Sequence, residues 1–270
     1  MRVTVLLENT SSRPDIGAEH GLSLYLETAS GMRVLFDMGG SALFAKNAEV
    51  LGIALDRTDA AVLSHGHYDH GGGLSAFLQC CHDAPVYISP HAFLPHFSGD
   101  GAKYIGLDPS LAPNGHMSSR FRAVEDQAVI GEGVTVCSCR DCELREPLDT
   151  AGLGMVADGC YLPEDFRHEQ YLLIEEDGRR ILVSGCSHRG ILNIMEWFSP
   201  DVLIGGFHLM KRDPACEEDR ALLDRIAERL LSYSTVFYTG HCTGGAAYCY
   251  LKERMMGRLH DLSGGREWII

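Results

Sequence analysis

The stretch that decides the fold is residues 64–73, which read SHGHYDHGGG. Three histidines and one aspartate fall within positions 65–70, directly after the short apolar stretch 60–63. Side chains at a strand end are presented by a stiff scaffold, and glycines permit the tight backbone needed beside an ion. Imidazole and carboxylate groups at this density predict a site for zinc, iron or manganese. A surface cluster without a ligand role is the weaker interpretation.

Apolar patterning on both sides of this run predicts alternating strands and helices. Two strand-rich halves, each followed by helices, favour an α/β protein built as a four-layer αββα sandwich. A chain of 270 residues is compatible with one domain spanning residues 1–270. The predicted strands are 2–7, a hairpin over 22–36, 60–63, 86–89, a second hairpin over 171–184, 202–204 and 235–238. The predicted helices are 41–52, 190–198, an amphipathic 216–232 and 244–257.

Residues 90–160 are irregular, with many prolines and glycines and few periodic runs. We expect an insertion or lid of loops and short strands there, such as 129–136, which would select the substrate. Solvated surface charge is the simpler interpretation of each cation in this stretch taken singly. The candidates for contacting an anionic group are Lys103, Tyr104, Arg120 and Arg122.

The formal net charge of −14 and the pI of about 5.3 argue against a nucleic-acid partner and leave a small-molecule substrate as the expectation. Residues 1–7 resemble a strand more than a secretory signal, and no apolar run approaches the length of a membrane span. We therefore expect a cytoplasmic protein whose ten cysteines are reduced. The triplet Cys137, Cys139 and Cys142 lacks a clear fourth ligand, so free thiols are favoured over a structural zinc.

Five segments carry a resemblance to a known family. Residues 64–74, SHGHYDHGGGL, resemble the HxHxDH signature of the metallo-β-lactamase superfamily. Residues 35–39, LFDMG, resemble the first motif, in which an aspartate braces the ligand loop, and 240–244, GHCTG, resemble the closing histidine motif. Together with GCSHRGI at 185–191 and GGFHL at 205–209, they resemble the branch named after dihydropterin-ribofuranosylaminobenzene phosphate synthase. Most members of that branch are described only as metal-dependent hydrolases.

The resemblance implies a site for two divalent metal ions, zinc before iron or manganese. It assigns His65 and His67 to the first ion, and Asp69, His70 and His241 to the second. Asp69 would also orient the attacking water, as a general base where it is free to accept a proton. The brace for the imidazoles would be Asp37.

The sequence does not decide two of the ligand positions. His188 and His168 compete for the third-motif ligand, and His188 is favoured because the branch carries a histidine there. Cys186 stands where the family usually has a bridging aspartate, so it is either a thiolate ligand or a small packed residue. His208 and His91 are candidates for the substrate pocket, against structural roles. The other histidines are expected at the surface: His20, His82, His96, His116 and His260.

Four functions follow from this interpretation. The first is hydrolysis of a phosphorylated or otherwise anionic small molecule. The second is a metal-dependent transferase of the synthase type that names the branch. The third is iron-dependent redox chemistry on the same fold, although no flavodoxin-like domain is appended to this sequence. The fourth is a sensor or scaffold with a degenerate site, which an essentially complete ligand set argues against.

Overall fold

The computed structural model describes residues 1–99, 101–112 and 119–270, so the expectation for His116 lies outside the described residues. The strands of the first half are β1 (Arg2–Leu7), β2 (Ser23–Glu27), β3 (Arg33–Phe36), β4 (Ala60–Val62), β5 (Val86–Ile88), β6 (His96–Ser98), β7 (Lys103–Tyr104), β8 (Phe121–Ala123), β9 (Gln127–Gly131) and β10 (Val134–Cys137). Those of the second half are β11 (Leu153–Ala157), β12 (Cys160–Pro163), β13 (Tyr171–Glu176), β14 (Arg179–Ser184), β15 (Val202–Ile204), β16 (Val236–Thr239), β17 (Leu259–Asp261) and β18 (Glu267–Ile269).

Six α-helices lie within the described residues. They are α1 (Leu43–Val50), α2 (Tyr68–Gly71), α3 (Leu74–Cys80), α4 (Ile191–Phe198), α5 (Glu217–Leu231) and α6 (Gly245–Arg254). Among the described residues, no helix combines the length and the apolar character that crossing a lipid bilayer requires.

The strands form two large sheets and one small one. The first sheet has the order β18-β1-β2-β3-β4-β5-β8, and the second has the order β17-β16-β15-β14-β13-β10-β9. In each of them the strands from the middle to one edge run parallel: β3, β4, β5 and β8 in the first, β14 to β17 in the second. The third sheet, β12-β11-β6-β7, is antiparallel throughout.

Apolar packing defines four layers. Side chains from both large sheets meet in a shared interior, where β-branched and aliphatic residues alternate with those pointing outwards. That interior includes Val5, Leu24, Phe36, Val62, Val136, Leu172, Val183 and Ile204. Helices α1 and α3 cover the outer face of the first sheet, and α4, α5 and α6 cover that of the second. The predicted αββα sandwich is therefore confirmed.

The irregular stretch 90–160 contributes to all three sheets. Strand β8 extends the first sheet, and the β9–β10 hairpin, which includes the predicted strand 129–136, extends the second. The third sheet takes β6, β7 and β11 from this stretch and adds β12 just beyond it. Part of the expected insertion is thus built into the principal sheets, and its function as a lid stays a prediction.

The topology brings several loops to one edge. Segments that begin at residues 37, 63, 185, 205 and 240 directly follow β3, β4, β14, β15 and β16. Each of these strands has a parallel neighbour, and loops at the carboxyl ends of parallel strands share one rim of a sheet. Five distant pieces of sequence therefore converge at this rim.

Candidate metal centre

Three buried imidazoles form the first group at this rim. His65, His67 and His188 place their ligand atoms within 4.8 Å of one another, and all three rings are buried. The Nε2 atoms of His65 and His188 are 3.3 Å apart. Phe166 stacks on the His188 ring with centroids 4.6 Å apart and an angle of 11° between the planes, which fixes the ring orientation.

The second group lies beside the first and includes a carboxylate and a thiol. His70 Nε2 is 3.0 Å from His241 Nε2 and 3.2 Å from Cys186 Sγ. Asp69 Oδ2 lies 3.4 Å from His241 Nε2 and 4.0 Å from His70 Nε2. The structure thus brings together all six residues that the sequence suggested as ligands, in two adjacent groups.

The hydrogen bonds around His70 and His241 leave two lone pairs facing each other. His70 Nδ1 lies 2.6 Å from the Asp37 carboxylate, which can only accept, so Nδ1 carries the proton of the neutral ring. His241 Nδ1 lies 2.9 Å from Asn9 Oδ1, an oxygen that also accepts the Gly21 N–H, so this Nδ1 donates too. Both Nε2 atoms of the neutral rings are then acceptors at 3.0 Å. Such a pair needs a cation or a proton between its members.

The spacing of these atoms suits a tetrahedral metal ion. Zinc binds imidazole nitrogen at about 2.0–2.1 Å, which separates two ligand atoms on a tetrahedron by roughly 3.3 Å. The 3.3 Å between His65 and His188 and the 3.0 Å between His70 and His241 are close to that value. His67 Nε2 is buried and has no hydrogen-bond partner among the described residues.

Asp37 fixes the ligand loop of the first half. Its carboxylate accepts hydrogen bonds from the Ser64 N–H and Oγ–H, both 2.7 Å long, in addition to the bond from His70. Because Ser64 Oγ gives its proton to Asp37, it accepts from His65 Nδ1 at 2.8 Å, which leaves His65 Nε2 as a lone pair. Burial lowers the pKa of His70, but the charge and the hydrogen bond of Asp37, together with the charges of Asp69 and Cys242, outweigh this effect and raise the pKa to about 9.

Glu169 has the corresponding role in the second half. This buried carboxylate accepts the N–H groups of His188 at 2.7 Å and Arg189 at 2.9 Å, and the Tyr171 hydroxyl at 2.8 Å. Burial raises the pKa of Glu169. The loop that carries His188 is therefore held by a side chain that lies two residues before β13.

Replacing Glu169 with glutamine is expected to destabilise the fold by about 1–3 kcal/mol, because the amide NH2 would face backbone donors that lose their acceptor. Urea unfolding measures this change. The exposed Glu132→Gln variant is the matched control. A Glu169→Gln midpoint equal to that of the control would contradict the assignment of Glu169 as the brace.

Several site loops pass through the left-handed region of backbone space. Non-glycine residues there are uncommon and concentrate at functional sites. The φ angles are 59° at Asp37, 56° at Ser187, 54° at His208 and 48° at His241. A methyl group on Gly66 would approach Ala92 O to 2.2 Å, so the position between the first two histidines requires glycine.

A second buried network lies behind His67. The Gly66 N–H donates to His168 Nδ1 at 2.7 Å, and His168 Nε2 lies 3.4 Å from Glu164 Oε1. His96 Nδ1 donates to Glu164 Oε2 at 2.7 Å. His168 thus contacts the backbone of the ligand loop, whereas His188 faces His65 directly.

The surface position expected for His96 is wrong. Its ring is fully buried because β6 pairs with β11 in the third sheet and turns the ring towards the Glu164 carboxylate. His82 is exposed, and His260 is half-buried beside Tyr238. His20 is 44% exposed, as expected, but its Nε2 lies 3.2 Å from Asp69 Oδ2 at the edge of the second group.

A cleft of about 470 Å³ opens onto both groups. His208 lines it, with its ring centroid 4.3 Å from that of His188 and both ring nitrogens buried without a partner among the described residues. Lys103, Lys211 and Arg212 add positive charge to its wall. Lys103 makes no ion pair with a described residue; its ammonium lies 5.2 Å from the Tyr68 ring centroid.

Four candidates for contacting substrate do not line this cleft. His91 lines a separate depression with Arg140 and Asp165. The Arg120 guanidinium donates to the carbonyls of Leu78, Cys81 and Ala84 at the end of α3, so its charge serves the fold. The Arg122 guanidinium donates to the carbonyls of Ser119 and Phe121. The fourth candidate, Tyr104, donates its hydroxyl proton to Leu107 O.

The cysteine triplet is present as free thiols. Burial raises the pKa of Cys137 to about 11 and raises that of Cys139 further, with Cys142 as its neighbour. Among the described residues, these three sulfurs do not come close enough together to form a group that could hold a metal ion.

Residues that the motifs did not single out complete the site. Two residues just after β1 contact His241. Asn9 Oδ1 accepts a hydrogen bond from the His241 side chain, and Glu8 Oε1 accepts one from the His241 backbone N–H at 2.5 Å. Glu164 and Glu169 are separated from the ligand motifs in sequence. In the sequence, these residues appear only as acids and amides next to predicted strands. That pattern is too common to identify a functional site.

The stability of the metal-free protein is expected to depend on pH. Burial lowers the pKa of His65, His67 and His188 well below 6.5, so below about pH 6.5 the unfolded chain binds more protons than the folded one. Their contribution is complete above that pH and is lost as the pH falls, by up to about 1.4 kcal/mol per unit for each ring. His70 has the opposite sign, since its pKa is raised to about 9: its contribution is present below pH 6.5 and is lost as the pH rises through 9.

Urea unfolding of chelator-treated protein between about pH 5.5 and 9 measures these effects. We expect the midpoint to be highest near pH 7 and to fall on both sides. Removing an exposed ring with His82→Ala should leave the profile unchanged. A flat midpoint from pH 7 down to 5.5 would contradict the neutral state of the three buried rings.

The chain is similar to known proteins over nearly its whole length. A sequence model of the Metallo-beta-lactamase superfamily matches residues 16–140. An uncharacterised protein of Methanocaldococcus jannaschii is 26% identical over 256 residues, which cover 93% of this chain and 94% of that one. From the same organism, 7,8-dihydropterin-6-methyl-4-(β-D-ribofuranosyl)-aminobenzene-5′-phosphate synthase is 27% identical, over 92% of this chain and 89% of its own. A solved structure described as a metal-dependent hydrolase of the β-lactamase superfamily is 28% identical, covers 100% of this chain and 99% of that one, and superimposes with a TM-score of 0.82.

Proposed function

Because this protein has the metallo-β-lactamase fold and carries the motifs of that superfamily, we propose that it is a hydrolase of anionic small molecules that uses two metal ions. The observation that carries the proposal is the pair of Nε2 atoms on His70 and His241, which face each other as acceptors at 3.0 Å. Without metal, a proton between the two atoms satisfies this pair, in agreement with the pKa of about 9 for His70, and a bound metal ion would take the place of that proton. The similar solved structure, a metal-dependent hydrolase, supports the same function.

We assign His65, His67 and His188 to one ion. Asp69, His70 and His241 would hold the other, with Cys186 beside them as a thiolate or a packed neighbour. The assignment prefers His188 to His168, since His168 Nδ1 accepts a backbone N–H and so gives its ring a different task. Zinc is the expected ion for this donor set, and iron or manganese are alternatives. Bound there, the ions would lower the pKa of a water towards neutrality and polarise the bond under attack.

Side chains of the protein would accept the proton of the attacking water and donate a hydrogen bond to the leaving group. Burial raises the pKa of Asp69, but the surrounding imidazoles, His20 first among them, outweigh this effect and lower the pKa well below its usual range, so the carboxylate is ionised at neutral pH. It can orient the attacking water and accept its proton. His208, whose ring nitrogens have no partner among the described residues, is placed to donate a hydrogen bond to the leaving group.

Positive charge in the cleft supports an anionic substrate. In a protein with a net charge of −14, Lys103, Lys211 and Arg212 all line the wall of this one cleft. Arg212 pairs with Asp149 and Asp219, which leaves the two lysines as the stronger attraction for a phosphate or carboxylate. Such focusing raises the local concentration of anions.

The proposal is tested by a screen of phosphomonoesters, phosphodiesters, lactones and thioesters with metal-loaded protein. We expect turnover of an anionic ester that chelation abolishes and added zinc restores. His67→Ala should lose it, whereas the exposed His82→Ala should retain it. Turnover that survives chelation and His67→Ala would refute the metal-dependent mechanism.

A second candidate function is a metal-dependent transferase. The observation that favours it is the similarity, at 27% identity over 92% of this chain, to the aminobenzene-phosphate synthase of Methanocaldococcus jannaschii. A transferase releases its leaving group only when both organic substrates are present. Release of the leaving group when water is the sole acceptor would exclude the transferase function and favour the hydrolase function.

A further inference from the structure

A second cavity adjoins the cleft. This groove has a volume of about 390 Å³ and shares His188, His208, Asp149 and Arg212 with the cleft, so the two spaces adjoin at the candidate metal centre. Apolar side chains dominate its wall. They are Leu148, Leu192, Phe207, Leu209, Leu222 and Ile226.

The walls of the groove are anchored, so the space does not result from a loose loop. Asn193 Oδ1 on α4 accepts the N–H groups of Arg145 and Glu146 at 2.9 and 2.8 Å, and its amide donates to Glu146 O at 2.9 Å. The Trp197 indole donates to Glu143 O at 2.8 Å. The volume of the groove exceeds the size at which ligand sites begin, about 300 Å³.

The charged groups at the rim are neutralised by one another. Arg225 Nη1 lies 2.8 Å from Glu146 Oε2, and Arg212 pairs with Asp149. The groove therefore offers apolar surface with balanced charge, whereas the cleft offers the lysines. A ligand that spans both spaces must be charged at one end and apolar at the other.

We propose that the groove binds the alkyl chain of an anionic ester whose charged group lies in the cleft. This inference rests on the proposed function and names its substrate class: amphiphilic phosphate esters rather than small polar ones. The chain passes His188 and His208, the two rings that both cavities share.

Calorimetric titration of zinc-loaded protein with methyl, butyl and hexyl phosphate tests the groove without requiring turnover. Burial of a methylene group strengthens binding by about fourfold, so with partial burial hexyl phosphate should bind about 100-fold more tightly than methyl phosphate. Leu222→Trp fills the groove from α5 and should reduce that ratio to below about 5, with methyl phosphate unaffected. The control is Leu231→Trp, at a half-buried position of the same helix that does not line the groove.

A second filling variant, Leu148→Trp on the loop opposite α5, should act like Leu222→Trp and guards against a folding defect in the helix. Equal affinities for methyl and hexyl phosphate in a protein that hydrolyses phosphate esters would contradict the role of the groove in binding the alkyl chain and leave the proposed function intact. Chain-length preference in a protein that hydrolyses no ester would overturn the proposed function and support the groove. If both filling variants keep the wild-type ratio of hexyl phosphate to methyl phosphate affinity, the proposal that the groove binds the alkyl chain is also wrong.

Discussion

Replacing Asp69 with asparagine is expected to lower kcat/KM for the best substrate by about 1,000-fold, which corresponds to about 4 kcal/mol of transition-state stabilisation. The substitution keeps the size of the side chain and removes its charge. The carboxylate lies 3.4 Å from His241 Nε2 and 3.2 Å from His20 Nε2, so the amide would lose both a metal ligand and the acceptor for the proton of the attacking water.

Steady-state kinetics with metal-saturated protein measures the effect. The exposed Asp83→Asn variant controls for loss of one negative charge. A loss that appears only at limiting zinc and disappears at saturation would contradict the proton-accepting role and leave Asp69 as a metal ligand. Activity within threefold of the wild type at both limiting and saturating zinc would contradict both assigned roles.

Replacing Asp37 with asparagine is expected to weaken metal affinity by about 10- to 100-fold, because braces of this kind set ligand orientation and basicity. We also expect a loss of stability of about 3 kcal/mol, since the amide NH2 would face donors from Ser64 or His70 in a fully buried position. Competition with a chelating dye measures the affinity, and urea unfolding measures the stability.

The two readouts separate bracing of the ligands from general folding. Asp83→Asn is again the matched control. Metal affinity equal to the wild type in a destabilised Asp37→Asn protein would contradict the role of Asp37 in orienting His70.

The layered fold could be predicted because its main elements have strong local signals. The stretches 2–7, 22–36 and 171–184 are apolar and β-prone, and 216–232 is amphipathic; all four form the expected strands or helix. The third sheet had no such signal. Its strands are two to five residues long, and the pairing of β6 with β11 joins segments more than fifty residues apart.

The core of the candidate site could be predicted because its residue types are rare at such density. Residues 65–70 and His241 meet at the sheet rim, with His188 beside His65. The partners of these ligands could not be predicted, since Asn9 and Glu169 reach them only through the order of strands in the sheets.

His96 is the clearest case of a residue whose position could not be predicted from the sequence. A histidine between Pro95 and Phe97 has no periodic context, so its burial depends on a partner, Glu164, that lies 68 residues away. The third sheet brings the two together, because β6 contains His96 and β12 ends one residue before Glu164.

The most direct test of the central claim is the metal content of protein purified without chelators, measured by plasma mass spectrometry against a quantitative amino-acid analysis. We predict two transition-metal ions per chain in the wild type, and one in a His188→Ala variant that loses a ligand of the first group. A wild-type protein that carries no stoichiometric metal and takes up none from excess zinc would contradict the account.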